Sequence, residues 1–211
     1  MTSAEIAAAA RVARRAYRAA RAAYKRDRDH FVALDAPYTV GTFAPVFRGL
    51  PVPEWYECDL FSIRSRTLVL RVSPPEYCDG ATLAPDRVGS VDLACAYIAH
   101  DYWYAMIGRM LADAAWEGWT EADLRALGDA MLGRIIQARS PLLAMPYYWA
   151  VRAFGGIFRR WFAGALLAAA LASLLAGGCA GCAIPDAFTP SGEDPQYHVV
   201  PRGGAAQEAE P

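Results

Sequence analysis

The sequence predicts an α+β fold, in which a small antiparallel sheet precedes a three-helix unit, with a basic N-terminal helix before them and one C-terminal transmembrane helix after them. Between residues 38 and 72, segments rich in Val, Ile, Phe, Tyr and Thr alternate with Pro and Gly, as strands alternate with turns. Ala- and Leu-rich segments with helical spacing follow, and a stretch without charge lies near the end. The chain is therefore expected to divide into four parts: a basic amphipathic helix at residues 1–30, an α+β domain at residues 31–157, a transmembrane helix at residues 158–184 and a disordered acidic tail at residues 185–211.

The two ends of the chain carry opposite charges, although the net charge of the 211 residues is only -1. Residues 1–28 contain eight Lys and Arg against two acidic residues, and residues 185–211 contain five acidic residues against one Arg. A hydrophobic content of 55% excludes a disordered or fibrous protein, and five scattered cysteines do not form the disulfide framework of a small secreted domain. The opposite charges indicate that the two ends lie in different surroundings.

The basic segment at residues 2–28 is expected to be a helix with Ile6, Tyr17 and Tyr24 on one face. Five arginines cover much of the remaining surface: Arg11, Arg14, Arg15, Arg18 and Arg21. Such a helix suits an anionic lipid surface or a helix–helix contact, and suits nucleic acid less because basic and aromatic residues do not alternate. The alternative is a solvated helix that packs on its own domain through the tyrosines.

The central domain is expected to contain a sheet followed by helices. The first helix should run from Val91 to about Trp116, after Ser90 as its cap, and end at Gly118. The second should begin at Thr120, whose spacing from Asp123 is that of a capping box. A third should run from about Leu142 or Pro146 to Gly155-Gly156. The expected strands are Tyr38–Phe47, Tyr56–Ile63 and Thr67–Val72, and the apolar stripe of the second helix is Leu124, Leu127, Met131, Ile135 and Ile136.

Residues 161–184 contain no charged side chain, and a stretch of this length can cross a bilayer. Arg159 and Arg160 precede it and acidic residues follow it, so the positive-inside rule places the domain in the cytoplasm and the tail outside. Lipidation of Cys179 is a minor alternative, because the preceding residues only approximate a lipoprotein cleavage site. Cys179 and Cys182 have redox or metal spacing, but no second pair accompanies them.

Only one of the three histidines stands in a segment that predicts chemistry. His198 lies in the Pro- and Gly-rich tail and His30 follows the basic helix, where a surface role is expected. His100 is followed by Asp101, and Tyr104 returns to the same side of the helix one turn later. A His beside a carboxylate suits a general base or a metal site, and it equally suits a buried polar network that joins two helices.

The order of motifs from residue 65 to residue 156 resembles that of a family of phage and bacterial proteins known as the domain of unknown function 1353 family. The resemblance depends on Asp79-Gly80-Ala81-Thr82 and on His100-Asp101-x-x-Tyr104, followed by Arg125 with Asp129 and by the segment from Tyr148 to Gly155. In this sequence the stretch between His100 and Asp129 is longer than the corresponding stretch in the family. Asp113 is therefore a rival for the position of Asp129.

The His-Asp-x-x-Tyr element is also similar to the catalytic helix of secreted and bacterial phospholipase A(2) enzymes. That resemblance implies His100 as the base that activates water, Asp129 as the residue that orients it, and Tyr104 as a structural partner. It also implies Ca²⁺ as a cofactor, held by Asp101 with Asp79 and Gly80. Carboxylate and carbonyl oxygens are the ligands that Ca²⁺ prefers.

Two functions are therefore expected. The first is a membrane-anchored or virion-associated phage or prophage protein, a non-enzymatic structural or lysis-associated component whose partners are the lipid bilayer or other phage proteins. The second is a Ca²⁺-dependent hydrolase that acts on membrane phospholipid. Neither the substrate nor the oligomeric state follows from the sequence.

Overall fold

The computed structural model describes residues 30–73, 78, 87–88, 91–141, 143–145, 147–148 and 183–201. Within this part of the chain, two long helices accompany short antiparallel strands, so the α+β prediction is confirmed. The helices are Ala94–Met110 (α1) and Glu121–Arg139 (α2). The strands are His30–Leu34 (β1), Tyr38–Phe43 (β2), Val46–Phe47 (β3), Leu50–Pro51 (β4), Trp55–Glu57 (β5), Phe61–Arg64 (β6), Thr67–Leu70 (β7), Arg87–Val88 (β8), Val91–Asp92 (β9), Phe188–Pro190 (β10) and Tyr197–Pro201 (β11).

The main sheet has five antiparallel strands in the order β10-β2-β7-β6-β5. The strands β2 and β7 lie within the predicted segments Tyr38–Phe47 and Thr67–Val72. The predicted strand Tyr56–Ile63 is instead divided between β5 and β6, which pair with each other, and the edge strand β10 comes from the tail. Gly41 of β2 allows β10 to approach, because a Cβ at this position would lie 2.2 Å from the Thr189 carbonyl oxygen. A second antiparallel pair joins β1 to β11, with Val32 opposite Val199.

The first long helix is shorter than the sequence predicted. It begins at Ala94, and its N-cap is Leu93, which makes no side-chain cap hydrogen bond, instead of the expected Ser90. The Asp92 carboxylate accepts from the Ala94 N–H across 2.9 Å. The helix ends at Met110 instead of near Gly118, because Asp113 caps a separate 3-10 turn at Ala114–Trp116. Gly118 follows that turn with φ +83°.

The second long helix begins where the sequence predicted. The Thr120 side chain accepts from the Asp123 N–H, and the Asp123 carboxylate accepts from the Thr120 N–H, which completes the capping box. Its predicted stripe is fully buried: Leu124, Leu127, Met131, Ile135 and Ile136. Ser140 ends the helix, and residues 141, 143–145 and 147–148 are helical again, in agreement with the start of the predicted third helix.

An aromatic cluster fills the space between the sheet and the helices. The fully buried Trp103 ring stacks on Phe61 of β6 with centroids 5.5 Å apart, and meets Trp116 edge-on at 5.6 Å. On the other side α1 contacts α2 closely at Gly128, where a Cβ would lie 2.6 Å from Trp103 Cδ1. The indole N–H of Trp103 donates to the Leu124 carbonyl oxygen, 2.8 Å away, which fixes the register between the two helices.

The prediction of a disordered tail is wrong for residues 185–201, which contain β10 and β11. Phe188 is 2% exposed and its ring lies 4.9 Å from that of Phe43, while β10 and β11 pair with β2 and β1. Arg139 of α2 holds the loop between these strands, with Nη2 2.5 Å from Asp194 Oδ1. The composition of the tail suggested disorder because its apolar residues are few, but two of them, Ala187 and Phe188, are buried in the core.

Several predictions fall on residues outside the described part of the chain. They concern the basic helix at residues 2–28, the Asp79 to Pro85 loop, most of the third helix, and residues 161–182 of the predicted transmembrane helix. Among the described residues no helix is both long enough and apolar enough to span a membrane.

Candidate functional site

The site predicted on the first helix forms where α1 and α2 pack together. His100 and Tyr104 lie one turn apart on α1, with ring centroids 4.1 Å apart, and both point to Asp129 on α2. His100 Nε2 is 3.2 Å from Asp129 Oδ1, and the Tyr104 hydroxyl donates to the same oxygen across 2.6 Å. The structure therefore brings together all three residues for which the sequence predicted catalytic roles.

The Asp129 carboxylate is buried and is contacted by two groups that can donate hydrogen bonds, the His100 imidazole and the Tyr104 hydroxyl. The residue is only 2% exposed, and it lies on the α2 face opposite Tyr104. A carboxylate that loses its water is stable only when charged or polar donors replace the water, as the imidazole and the phenol do here. Burial raises the pKa of the Tyr104 hydroxyl, and the charge of Asp129 raises it further, so this hydroxyl remains a donor.

His100 stands between two carboxylates. Its side chain is 14% exposed, and its Nδ1 lies 3.8 Å from Asp101 Oδ1, on the side of the ring away from Asp129. Burial lowers the pKa of His100, but the interactions with Asp101 and Asp129 outweigh burial and raise the pKa to about 9. The two carboxylates therefore favour the protonated form of the ring, with Nε2 near Asp129 and Nδ1 facing Asp101.

Asp101 occupies the outer part of the site. Its side chain is 28% exposed, and its Oδ2 lies 3.5 Å from the thiol of Cys78, which donates to it. Cys78 is itself buried, and its carbonyl oxygen accepts from the Val32 N–H of β1. Cys78, the residue directly before the predicted calcium ligand Asp79, therefore lies beside Asp101, a contact that the sequence did not indicate because 23 residues separate the two.

The other predicted calcium ligands, Asp79 and Gly80, lie outside the described residues. Within the part of the chain that the structure describes, no group of three or more His, Cys, Asp or Glu is arranged to hold a metal ion. The donor that is described, the Asp101 carboxylate, is a hard oxygen ligand of the kind that Ca²⁺ prefers. Its chemistry and partial exposure fit a calcium ion, whereas the neighbouring thiol does not act as a calcium ligand.

Arg125 covers the other face of Tyr104. Its guanidinium carbon lies 5.0 Å from the centre of the Tyr104 ring, and its Nε donates to Glu121 across 2.8 Å. The Arg125 side chain is 37% exposed, so a cation stands at the rim of the site on the solvent side. The sequence named this residue only within the motif order, because its position over Tyr104 depends on how the two helices cross.

The structure decides between the two acidic residues that competed to partner His100. Asp113 is exposed and accepts from the Ala115 N–H, so its side chain caps the 3-10 turn and takes no part in the site. His198 also differs from expectation, since its Nδ1 lies 2.6 Å from Asp35 Oδ1 at the β1–β11 pair. His198 is an exposed residue of β11 within hydrogen-bond distance of Asp35. The five arginines of the basic segment, from Arg11 to Arg21, lie outside the described residues.

No family model, curated protein or solved structure matches this chain. The two resemblances noted in the sequence therefore depend on the motif residues alone.

Proposed function

We propose that this protein is a calcium-dependent hydrolase of carboxylic esters in phospholipid, similar in its chemistry to phospholipase A(2). The observation that supports this proposal best is the convergence of His100 Nε2 and the Tyr104 hydroxyl on one buried oxygen of Asp129. The resemblance implied that the base, the orienting residue and the structural partner would meet in this way. Asp129 is 29 residues from His100 and lies on the other helix, so the contact comes from the packing of α1 against α2 and not from residue spacing within one helix.

In the proposed mechanism His100 acts through Nδ1. Asp129 and Tyr104 are positioning residues: when the neutral imidazole keeps its proton on Nε2 and Nε2–H donates a hydrogen bond to Asp129, the lone pair is on Nδ1, the ring nitrogen that faces Asp101. A water at Nδ1 loses a proton to the imidazole as its oxygen attacks the ester carbonyl carbon. The imidazolium then returns the proton to the departing alcohol oxygen, so the products are a fatty acid and a lysophospholipid.

Asp101, with Asp79 and Gly80 as the further predicted ligands, would hold the calcium ion. When bound, the ion supplies positive charge that stabilises the negative charge developing on the carbonyl oxygen. Asp101 Oδ1 lies 3.8 Å from Nδ1, so an ion held by Asp101 would lie on the same side of the imidazole ring as the proposed base.

The decisive experiment measures fatty-acid release from phospholipid vesicles by the full-length protein, with Ca²⁺ and with a chelator. His100→Asn retains much of the volume and one hydrogen bond but removes the base, so we expect a loss of a hundredfold or more. Asp101→Asn should weaken the dependence on Ca²⁺, and Glu117→Gln, an exposed change away from the site, should retain full activity. Absence of Ca²⁺-dependent release by the unmodified protein would overturn the proposal.

A second candidate function is a non-enzymatic phage or prophage membrane component. The observation that favours it is that two carboxylates raise the pKa of His100 to about 9, which suits a charged cross-link between helices. In that case His100→Asn lowers the thermal stability of the protein, and the unmodified protein has no lipid hydrolysis to lose.

A further inference from the structure

The two oxygens of the Asp101 carboxylate have different neighbours. Oδ2 lies 3.5 Å from the Sγ atom of Cys78, whose thiol donates a hydrogen bond to it. Oδ1 lies 3.8 Å from His100 Nδ1. The plane of the carboxylate is therefore set by a thiol on one oxygen and by the imidazole near the other.

The position of Cys78 is fixed by its own contacts with the core. The residue is 1% exposed, and its carbonyl oxygen accepts from the Val32 N–H of β1 across 3.1 Å. Val32 is itself 2% exposed and lies opposite Val199 of β11. A side chain in a closely packed interior, on a backbone that is bonded to a paired strand, has little room to move. The thiol is therefore a fixed point against which the Asp101 side chain rests.

Asp101, by contrast, lies at the margin of the buried region. Its side chain is 28% exposed, twice the 14% of His100. The two residues are adjacent on α1, so their side chains leave the helix about 100° apart, and only His100 is directed to Asp129 of α2. A side chain that is partly in water keeps several rotamers unless a contact selects one of them. The hydrogen bond from Cys78 is such a contact.

A thiol suits this role beside a calcium ion. Ca²⁺ takes oxygen ligands, so the sulfur can contact the carboxylate without becoming a ligand itself. A thiol is also a weak donor, so the carboxylate keeps the negative charge that attracts the cation. Hydrogen-bond partners of metal ligands orient those ligands, and their loss typically lowers metal affinity about 10- to 100-fold.

We propose that Cys78 is a positioning residue for calcium binding: its hydrogen bond to Oδ2 fixes the Asp101 carboxylate so that the ion lies beside His100 Nδ1. The inference rests on the proposed function, from which it takes the calcium ion. Neither resemblance assigned a role to Cys78. The same residue ties the site to β1, because its backbone accepts from Val32.

The first test measures Ca²⁺ binding to the full-length protein by calorimetry. Cys78→Ala removes the thiol and should weaken the affinity for Ca²⁺ about tenfold, whereas Cys78→Ser retains a donor and should bind within about threefold of the unmodified protein. Cys58→Ala is the matched control, because Cys58 is also buried but its thiol donates to the Phe61 carbonyl oxygen. This control should leave the affinity unchanged. An equal loss in Cys58→Ala and Cys78→Ala would show a general effect of losing a buried thiol and overturn the inference.

A second measurement needs neither the metal nor a folded alanine variant. The S–H stretching vibration absorbs in a region of the infrared spectrum that other protein groups leave clear, and its frequency falls when the thiol donates a hydrogen bond. The band of Cys78 is the one that Cys78→Ser removes. In Asp101→Asn this band should move to higher frequency, because a neutral amide is a weaker acceptor than a carboxylate. An unchanged band would show that the thiol does not bond Asp101 and would overturn the inference.

The inference and the proposed hydrolase fail in different ways. The inference is wrong if the unmodified protein binds no Ca²⁺, or if Cys78→Ala binds it with unchanged affinity. If Cys78→Ala weakens Ca²⁺ binding as expected but the unmodified protein releases no fatty acid from phospholipid vesicles, the hydrolase proposal is wrong and the role of Cys78 is retained.

Discussion

The Tyr104 hydroxyl donates to Asp129 Oδ1 across 2.6 Å and thereby joins α1 to α2 at a buried carboxylate. Asp129 is 2% exposed, so the bond replaces water that the carboxylate lost on folding. A hydroxyl bonded to a charged group stabilises a fold more than one bonded to a neutral group does. The pair therefore contributes to stability as well as to the position of His100.

Tyr104→Phe removes this hydroxyl while retaining the ring beside His100. We expect a loss of about 1.5–3 kcal/mol in the free energy of unfolding, measured by urea denaturation. In an Asp129→Asn background the same change should cost only about 0.5–1.5 kcal/mol, because the hydroxyl then bonds a neutral acceptor. Equal losses in the two backgrounds would show that the hydroxyl does not bond the carboxylate.

Gly128→Ala tests the close contact between α1 and α2. The new Cβ would lie 2.6 Å from Trp103 Cδ1, and the indole is packed on all sides, so we expect destabilisation by about 1–3 kcal/mol. Gly108→Ala is the matched control, because nothing lies within 4 Å of its Cβ position and alanine favours a helix over glycine by roughly 0.5–1 kcal/mol. Melting temperatures should shift in opposite directions, and a neutral Gly128→Ala would refute the tight crossing.

Phe188→Ala tests whether the tail is part of the folded domain. The side chain is 2% exposed and packs on Phe43, so its removal should cost about 3–5 kcal/mol. Val199→Ala, at a side chain that is 53% exposed, should change stability by less than about 0.5 kcal/mol. Chemical denaturation of both variants measures the difference. If the two changes have equally small effects, the tail does not dock as described.

The stability of the metal-free protein should depend on pH through His100. Its pKa rises from 6.5 in the unfolded chain to about 9 in the folded protein, so the folded state binds the proton more tightly. The resulting stabilisation is fully present below pH 6.5 and is lost as the pH rises through 9, with a total on the order of 3 kcal/mol.

Unfolding curves in chelator between pH 6 and pH 10 measure this dependence. His100→Asn should remove it, whereas His198→Asn should retain it, because His198 is a surface residue with a side chain that is 58% exposed. If the stability of the His100→Asn variant depends on pH in the same way, a group other than His100 causes the dependence.

Local signals account for the parts of the fold that were predicted correctly. The capping box at Thr120 and Asp123 involves residues three positions apart, and the buried stripe of α2 follows from its own periodicity. The pairing of β10 with β2 joins residues far apart in the chain, and its strand of three residues, one of them Pro190, has no period that identifies it. Such a pairing depends on tertiary contacts that no local pattern encodes.

As with the fold, local residue spacing predicted one part of the candidate site, and the other part depends on how the helices pack. His100 and Tyr104 share one helix face by spacing alone, whereas the choice of Asp129 over Asp113 depends on the register between two helices. That register depends on the contact of Gly128 with Trp103 and on the end of α1 at Met110. Neither of these features was evident before the helices were placed together.

The pairing of β10 with β2 also dictates an order of events during synthesis. The strands β2, β7, β6 and β5 leave the ribosome early, but the edge of β2 stays unpaired until Phe188–Pro190 has been made. An exposed strand edge has unpaired backbone groups that can form hydrogen bonds with strands of other chains. The edge of β2 therefore stays open while the helices and the apolar stretch at residues 161–184 are synthesised, and β10 at Phe188–Pro190 then covers it. Truncated products that end before residue 188 should aggregate even though they contain the whole candidate site.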